Sequence, residues 1–343
     1  TTQAVYEFTF EDVQTSVELS KADLTDGKEL PGASLHVLDS TGTVVEEWIS
    51  TEEPHMIRGL LVGETYTLVE TKPADGYTTA ESIEFKVEDT AEIQKHQMLD
   101  DVTKVEISKT DMTDSKEVPG AKLTILDKDG KVVESWVSDK DPHMVEKLPV
   151  GTYTLREEQA PDGYLVAEEV SFEVKDTGEI QKVEMKDARP VGKLVLKKTD
   201  AEDGSPLAGA EFELRIKKSG KVVATLVTDE EGVATSGDIP IATYKDGKMK
   251  KEIEYILVET KAPDGYVRSE KEESIVFTYQ DDKTKEIEIT KELTNERIPT
   301  GDYVKSPKTG DDTNIWLPIL LLVLSVGGIA GIFWYTKKKN HEE

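Results

Sequence analysis

Val17-Glu18-Leu19-Ser20-Lys21-Ala22-Asp23 alternates apolar and polar residues, and the chain writes this run three times. It returns as Val105-Glu106-Ile107-Ser108-Lys109-Thr110-Asp111 and, more loosely, as Leu194-Val195-Leu196-Lys197-Lys198-Thr199-Asp200. Strict alternation is the period of a β-strand with one buried face. Further along, Tyr66-Thr67-Leu68-Val69-Glu70 is echoed by Tyr153-Thr154-Leu155-Arg156-Glu157 and Tyr255-Ile256-Leu257-Val258-Glu259, each followed by an Asp-Gly-Tyr ending at Tyr77, Tyr164 or Tyr266. Lys21 and Lys109 are 88 positions apart, Asp100 and Asp187 are 87 apart, and the difference is one extra residue in Gly63-Glu64-Thr65-Tyr66 against Gly151-Thr152-Tyr153. A repeat of this length is a whole domain, not a solenoid unit.

Within each repeat, short alternating runs are separated by turn clusters such as Asp26-Gly27, Pro31-Gly32, Asp129-Gly130 and Asp162-Gly163. No sustained 3.6-residue apolar pattern occurs ahead of residue 315. Units of about 85 to 105 residues written this way predict an all-β chain of tandem antiparallel β-sandwiches. The expected domains are 17–101, 102–190 and 191–298. Residues 1–16 read as the last strand of a preceding repeat, since Phe8, Phe10 and Asp12 fall where His96, Met98 and Asp100 fall in the next one. The third unit is longer, and its extra Gly and Lys between Asp229 and Lys251 predict a lengthened loop or hairpin. The chain opens on Thr1-Thr2 with no export segment, which predicts a longer precursor.

The formal charge is −28 over 343 residues, nearly all of it ahead of Asp311. Such a surface is well solvated and repels nucleic acid, so no nucleic-acid partner is expected. There is no cysteine, so any covalent reinforcement must use other chemistry. From Ile315 to Tyr335 run 21 residues without a charge, enough to cross a bilayer at about 1.5 Å per residue, and Lys337-Lys338-Lys339 follow. This predicts a transmembrane helix over 315–335 with residues 336–343 as a cytoplasmic tail.

The linker 299–314 holds Ser306-Pro307-Lys308-Thr309-Gly310 directly ahead of that run. A Pro-x-Thr-Gly peptide, an apolar span and a basic tail, in that order, resemble the cell-wall sorting signal of Gram-positive surface proteins. The resemblance implies that a sortase cleaves after Thr309 and passes its acyl group to an amine of peptidoglycan or its precursor, or to a pilin lysine. The protein would then be membrane-spanning before sorting and wall-linked after it. Ser306 departs from the commoner Leu at the first motif position.

The lysines carry the chemistry. On one face of the first strand lie Val17, Leu19 and Lys21, then Val105, Ile107 and Lys109, then Leu194, Leu196 and Lys198, so each lysine continues an apolar face. Glu70, Glu157 and Glu259 alternate with Tyr and Leu in the same way. Asp100, Asp187 and Asn295 share a face with Met98, Met185 and Leu293. Each predicted core thus receives an amine, a carboxyl, and a carboxyl or carboxamide. Burying these as ions costs several kcal/mol each unless they pair well. Burial favours a neutral amine and a protonated acid, and a neutral amine is a nucleophile. An amide between lysine and the third group is one outcome; three ordinary buried salt bridges, or lysines that snorkel to the surface, are the other.

Here the chain resembles the Cna B-type and SpaA-type domains of Gram-positive adhesins and pilins, which form intramolecular isopeptide bonds. The resemblance runs over nearly all of 17–297, through the Lys-x-Asp start, the Pro-Gly-Ala or Ala-Gly-Ala segments (31–33, 119–121, 208–210) and the Tyr-x-Leu-x-Glu run. It implies that Lys21, Lys109 and Lys198 are amine donors, that Glu70, Glu157 and Glu259 promote the reaction, and that Asp100, Asp187 and Asn295 are acceptors. The first two units carry Asp where the Lys-to-Asn form has Asn, making water the leaving group.

Other motifs carry less. Pro54-His55-Met56 and Pro142-His143-Met144 recur, but five histidines and no cysteine form no cluster with metal-site spacing, so no metal or cofactor is expected and loop packing is the reading. Asp127-Lys128-Asp129-Gly130 lacks the ligand series of a calcium loop and reads as a hairpin turn. Trp48 and Trp136 read as packing residues. The expectation is a wall-anchored surface protein, not a turnover enzyme. Its repeats would act as a stalk for an N-terminal region that binds a host matrix ligand; a pilus subunit and the stalk of a surface enzyme are the alternatives.

Overall fold

The alternation of Val17, Leu19 and Lys21 can bury only one face of a strand, so a second sheet must cover it. A computed structural model describes residues 13–299, and among them there is no helix. The first domain contains β1 (Ser16–Asp23), β2 (Ser34–Leu38), β3 (Val44–Ile49), β4 (His55–Arg58), β5 (Thr65–Lys72), β6 (Ile83–Lys86) and β7 (Ile93–Asp100). They form a three-stranded sheet in the order β4-β1-β7 and a four-stranded sheet in the order β3-β2-β5-β6. The second domain repeats this with β8 (Lys104–Asp111), β9 (Lys122–Leu126), β10 (Val132–Val137), β11 (His143–Glu146), β12 (Gly151–Gln159), β13 (Val170–Val174) and β14 (Ile180–Asp187), ordered β11-β8-β14 and β10-β9-β12-β13.

The third domain has β15 (Val191–Asp200), β16 (Glu211–Ile216), β17 (Val222–Val227), β18 (Val233–Thr235), β19 (Ile239–Pro240), β20 (Ala242–Lys245), β21 (Lys248–Glu252), β22 (Glu254–Lys261), β23 (Glu273–Val276) and β24 (Glu286–Asn295). Here β18 and β19 together take the place of one edge strand beside β15. The extra residues between Asp229 and Lys251 include a complete antiparallel hairpin, β20–β21.

All pairings are antiparallel except one per domain. The first and last strands run parallel, β1 with β7, β8 with β14 and β15 with β24. Alternation is the same in either direction, so the residue pattern is silent on this point. The last strand arrives from the opposite sheet, and so enters beside the first one heading the same way.

The core between the sheets is aliphatic and aromatic: Val17, Leu19, Leu35, Val37, Leu68, Phe85 and Met98 in the first domain, with equivalents in the other two. One hydroxyl ties the Pro-Gly-Ala or Ala-Gly-Ala segment of each domain. Ser50 Oγ donates to the Leu30 carbonyl at 2.6 Å and accepts from the Ala33 N–H at 2.8 Å; Ser138 serves Val118 and Ala121, and Thr228 serves Leu207 and Ala210, in the same manner. His55 and His143 lie at the starts of β4 and β11, not in loops. Each stacks on a tryptophan of the other sheet, His55 on Trp48 at 4.2 Å and His143 on Trp136 at 4.4 Å, and meets a glutamate, Glu46 or Glu134. Asp127 and Gly130 close the β9–β10 turn, with Asp127 Oδ1 accepting from the N–H groups of Asp129 and Lys131.

Of the strand expected at residues 1–16, residues 1–12 lie outside the described residues, and Ser16 is already the first residue of β1. The sorting peptide 306–310, the apolar run 315–335 and the tail 336–343 also lie outside them. Among the described residues no helix is long and apolar enough to cross a membrane.

Candidate functional site

The parallel register builds the site. Lys21 lies opposite Met98 and Asp23 opposite Asp100, so an acid two residues past the methionine faces inward diagonally from the lysine. The same diagonal joins Lys109 to Asp187 and Lys198 to Asn295. The glutamate comes from the facing sheet: Glu70 on β5, Glu157 on β12 and Glu259 on β22. In each domain the strand pairing slips by one residue directly after this glutamate, a bulge of the kind that re-aims side chains beside reactive sites.

All nine side chains are buried, Lys109 and Lys198 with 1% of their surface exposed. In the first domain Lys21 Nζ contacts Asp100 Oδ1 and lies 2.8 Å from Glu70 Oε1. In the second, Lys109 Nζ contacts Asp187 Oδ1 and lies 3.2 Å from Glu157 Oε1. One oxygen of each glutamate is held by a backbone N–H ten residues on, from Ala80, Ala167 or Ser269 at 2.6–2.7 Å. The other oxygen, Oε1, faces the lysine and has no well-aligned donor; Asp100 Oδ2 and Asp187 Oδ2 are likewise unsatisfied. Buried oxygens without donors are costly, about 1–3 kcal/mol each, unless protonated or consumed by reaction.

Burial pushes the Asp100 carboxyl up to about 7, against the pull of Lys21 and with that of Glu70. Asp187 is pushed to about 7 by burial in the same way, with Lys109 opposing. Desolvation lowers the Lys198 amine, Glu259 partly opposing it. The Asp100 and Asp187 carboxyls and the Lys198 amine therefore move toward their neutral forms, the state in which an amine attacks a carboxyl carbon.

The third centre is arranged differently. Lys198 Nζ lies 3.5 Å from Glu259 Oε1 but donates to the Thr294 carbonyl at 2.9 Å, while Asn295 Nδ2 donates to Glu259 Oε2 at 3.1 Å and to the Val267 carbonyl at 2.5 Å. Asn295 Oδ1 is without a partner. The group that would depart as ammonia thus already rests on the glutamate. Phe212, paired opposite Glu259 where Leu35 and Leu123 face Glu70 and Glu157, puts its ring 5.6 Å from Lys198 Nζ. This centre borders a cleft of about 290 Å³ lined by Lys271, Glu273 and Glu292 among others.

A second constellation was not anticipated from the sequence. The Asp of each Lys-x-Asp start accepts from the Tyr of each Asp-Gly-Tyr: Tyr77 Oη donates to Asp23 at 2.7 Å, Tyr164 to Asp111 at 2.6 Å and Tyr266 to Asp200 at 2.7 Å. Arg189 and Arg297 complete two of these clusters from two residues past the acceptor. The signal was present, since both motifs recur in every repeat, but nothing in the spacing says that they meet.

Three sandwiches with parallel first and last strands and a buried amine between them define a class, tandem prealbumin-like domains. The chain matches the SpaA prealbumin-like fold domain over residues 15–101, 103–189 and 192–293 and belongs to that family. Among solved structures it is similar to the Bacillus anthracis TIE protein, with 26% identity and a TM-score of 0.55 over 83% of this chain and 52% of that one. It therefore spans about half the length of that structure. Likeness to the major pilin subunit BcpA of Bacillus cereus is lower, at 18% identity and a TM-score of 0.48 over 83% of this chain and 100% of that one. A streptococcal ancillary pilin follows at 16% and 0.33, over 83% of this chain and 99% of that one. No curated protein matches the chain.

Proposed function

We propose that this chain is the wall-anchored stalk of a Gram-positive surface protein, in which each sandwich is closed by one Lys–Asp or Lys–Asn amide bond. The observation that carries the reading is the buried amine, glutamate and acceptor at one place in three domains. Neutral Lys21 Nζ attacks the carboxyl carbon of protonated Asp100; a C–N bond forms, the C–OH bond breaks, and Glu70 moves a proton from the attacking nitrogen to the departing oxygen, releasing water. Lys109, Glu157 and Asp187 follow the same course. At Lys198, Glu259 and Asn295 the departing group is ammonia. Each site reacts once, without turnover.

The order of SPKTG, apolar run and lysines supports anchoring through Thr309 by a sortase to peptidoglycan, its precursor or a pilin amine. Intact mass tests the cross-links: the chain is expected to weigh less than its sequence by two waters and one ammonia, and an undiminished mass would sink the proposal. Thr309→Ala is expected to abolish wall linkage, and normal linkage in that variant would refute the anchor.

A further inference from the structure

Domains joined by short linkers move against one another by default unless a sizeable apolar interface holds them. Among the described residues, the contacts between the first and second sandwiches are largely polar, with Val102 of the connecting segment packed on Leu30, Ala33, Ala74 and Tyr77. Lys147, in the loop after β11, reaches back to donate to Tyr77 Oη at 2.6 Å and to Asp23 Oδ2 at 3.2 Å. Asp176 accepts from the N–H and hydroxyl of Thr79. Lys147 supplies the cation that Arg189 and Arg297 supply within the other two Asp–Tyr clusters; Val102, two residues past Asp100, stands at the corresponding position.

Lys147 is also strained. Its φ is +62°, where the first domain has Gly59 at +78°. The left-handed region is disfavoured for any residue with a Cβ, and such strain persists where the surroundings impose it. Its backbone abuts Gly76 so closely that a Cβ added there would collide with the Lys147 carbonyl oxygen.

The next joint is built from other material. The β20–β21 hairpin, absent from the first two domains, lays Tyr244 into an apolar cluster with Val118, Ala160 and Tyr164. Tyr244 Oη donates to the Gly163 carbonyl, Met249 backs onto Gly163, and the Arg189 guanidinium lies 4.0 Å over the Tyr244 ring. At the hairpin tip Gly247, φ +63°, meets the second domain so tightly that a Cβ would overlap the Glu117 carbonyl oxygen.

We propose that the two joints differ in kind: Lys147 pins the first as an ionic, salt-sensitive hinge, and the β20–β21 hairpin clamps the second as a stiff, salt-insensitive one. The Lys147 side chain is half-exposed, so its pair with the largely buried Asp23 is screened in part by salt, whereas apolar burial is not. The inference does not depend on the cross-links.

The chain has no cysteine, so spin labels can be placed cleanly at exposed, equivalent strand positions. Glu84→Cys with Ser171→Cys spans the first joint, and Ser171→Cys with Ser274→Cys the second. In the full chain the first distance distribution is expected to widen as salt is raised, and to be wide already at low salt in Lys147→Met, while Lys147→Arg keeps it narrow. The second is expected to stay narrow at all salt concentrations and to widen only in Gly247→Ala or, should that variant not fold, in Met249→Ala. A narrow first distribution in Lys147→Met, or equal widening of both by salt, overturns the proposal.

Discussion

Asp100 has no exposed surface, and its burial decides how the first centre responds to pH. A carboxyl raised to about 7 keeps its proton in the folded chain at pH values where the unfolded chain, with a value near 3.8, has lost it. Only the protonated acid is an acylating group, so cross-linking of the first domain during refolding is expected to slow as pH rises through about 7. The third domain should show the opposite slope, because its carboxamide does not titrate and the lowered Lys198 amine becomes more fully neutral as pH rises. Mass spectrometry of refolding chains sampled on either side of that pH reads both slopes, and parallel slopes would contradict the assignment. Linkage gives a second outcome. In Lys21→Met no amine remains, and the raised Asp100 stabilises the fold fully below its unfolded value and loses that contribution as pH rises through the folded one. The urea midpoint of the first domain in this variant is therefore expected to fall between acid and neutral pH.

At the scale of the element, the single hydroxyls behind the Pro-Gly-Ala segments matter more than their size suggests. Ser138 is buried and satisfies a carbonyl and an N–H of the second domain at once. Ser138→Ala leaves both without a partner, an expected loss of about 1–3 kcal/mol, read as faster hydrogen exchange at Ala121 with the first and third domains unchanged. Strand identity in these elements was legible because alternation follows from the pleat. Strand direction was not, since Val17-Glu18-Leu19-Ser20-Lys21 has the same pattern beside a parallel or an antiparallel neighbour. The β20–β21 hairpin was foreseeable as surplus length between Asp229 and Lys251. Its docking on Glu117 and Gly163 was not, because that contact belongs to residues far apart in the chain.

For the whole molecule, the parallel pairing of first and last strands sets the mechanics. In the proposed stalk, tension would enter the first domain at β1 and leave at β7, and a bond between Lys21 and Asp100 would carry it across a loop of 79 residues without opening the strands between. By analogy with disulfides, closing such a loop contributes about 4–5 kcal/mol through the unfolded state. Lys21→Ala is expected to release roughly 27 nm of added length in single-molecule stretching, from 79 residues at about 3.4 Å each. The unmodified domain should extend by only a small part of that, and identical traces would deny the bond a mechanical role.

Local chemistry repeated three times was enough, from the sequence alone, to establish an all-β tandem chain and to single out nine candidate side chains, because strand period and apolar-face position are properties of neighbouring residues. Which side chains touch depended on the tertiary structure. The parallel register puts Asp100 diagonal to Lys21, the bulge after Glu259 aims that carboxyl at Asn295, and a lysine of the second domain completes a cluster begun by Asp23 and Tyr77. Each of these is a distance between segments far apart in the chain, set by how two sheets and two domains pack, and no local pattern encodes it.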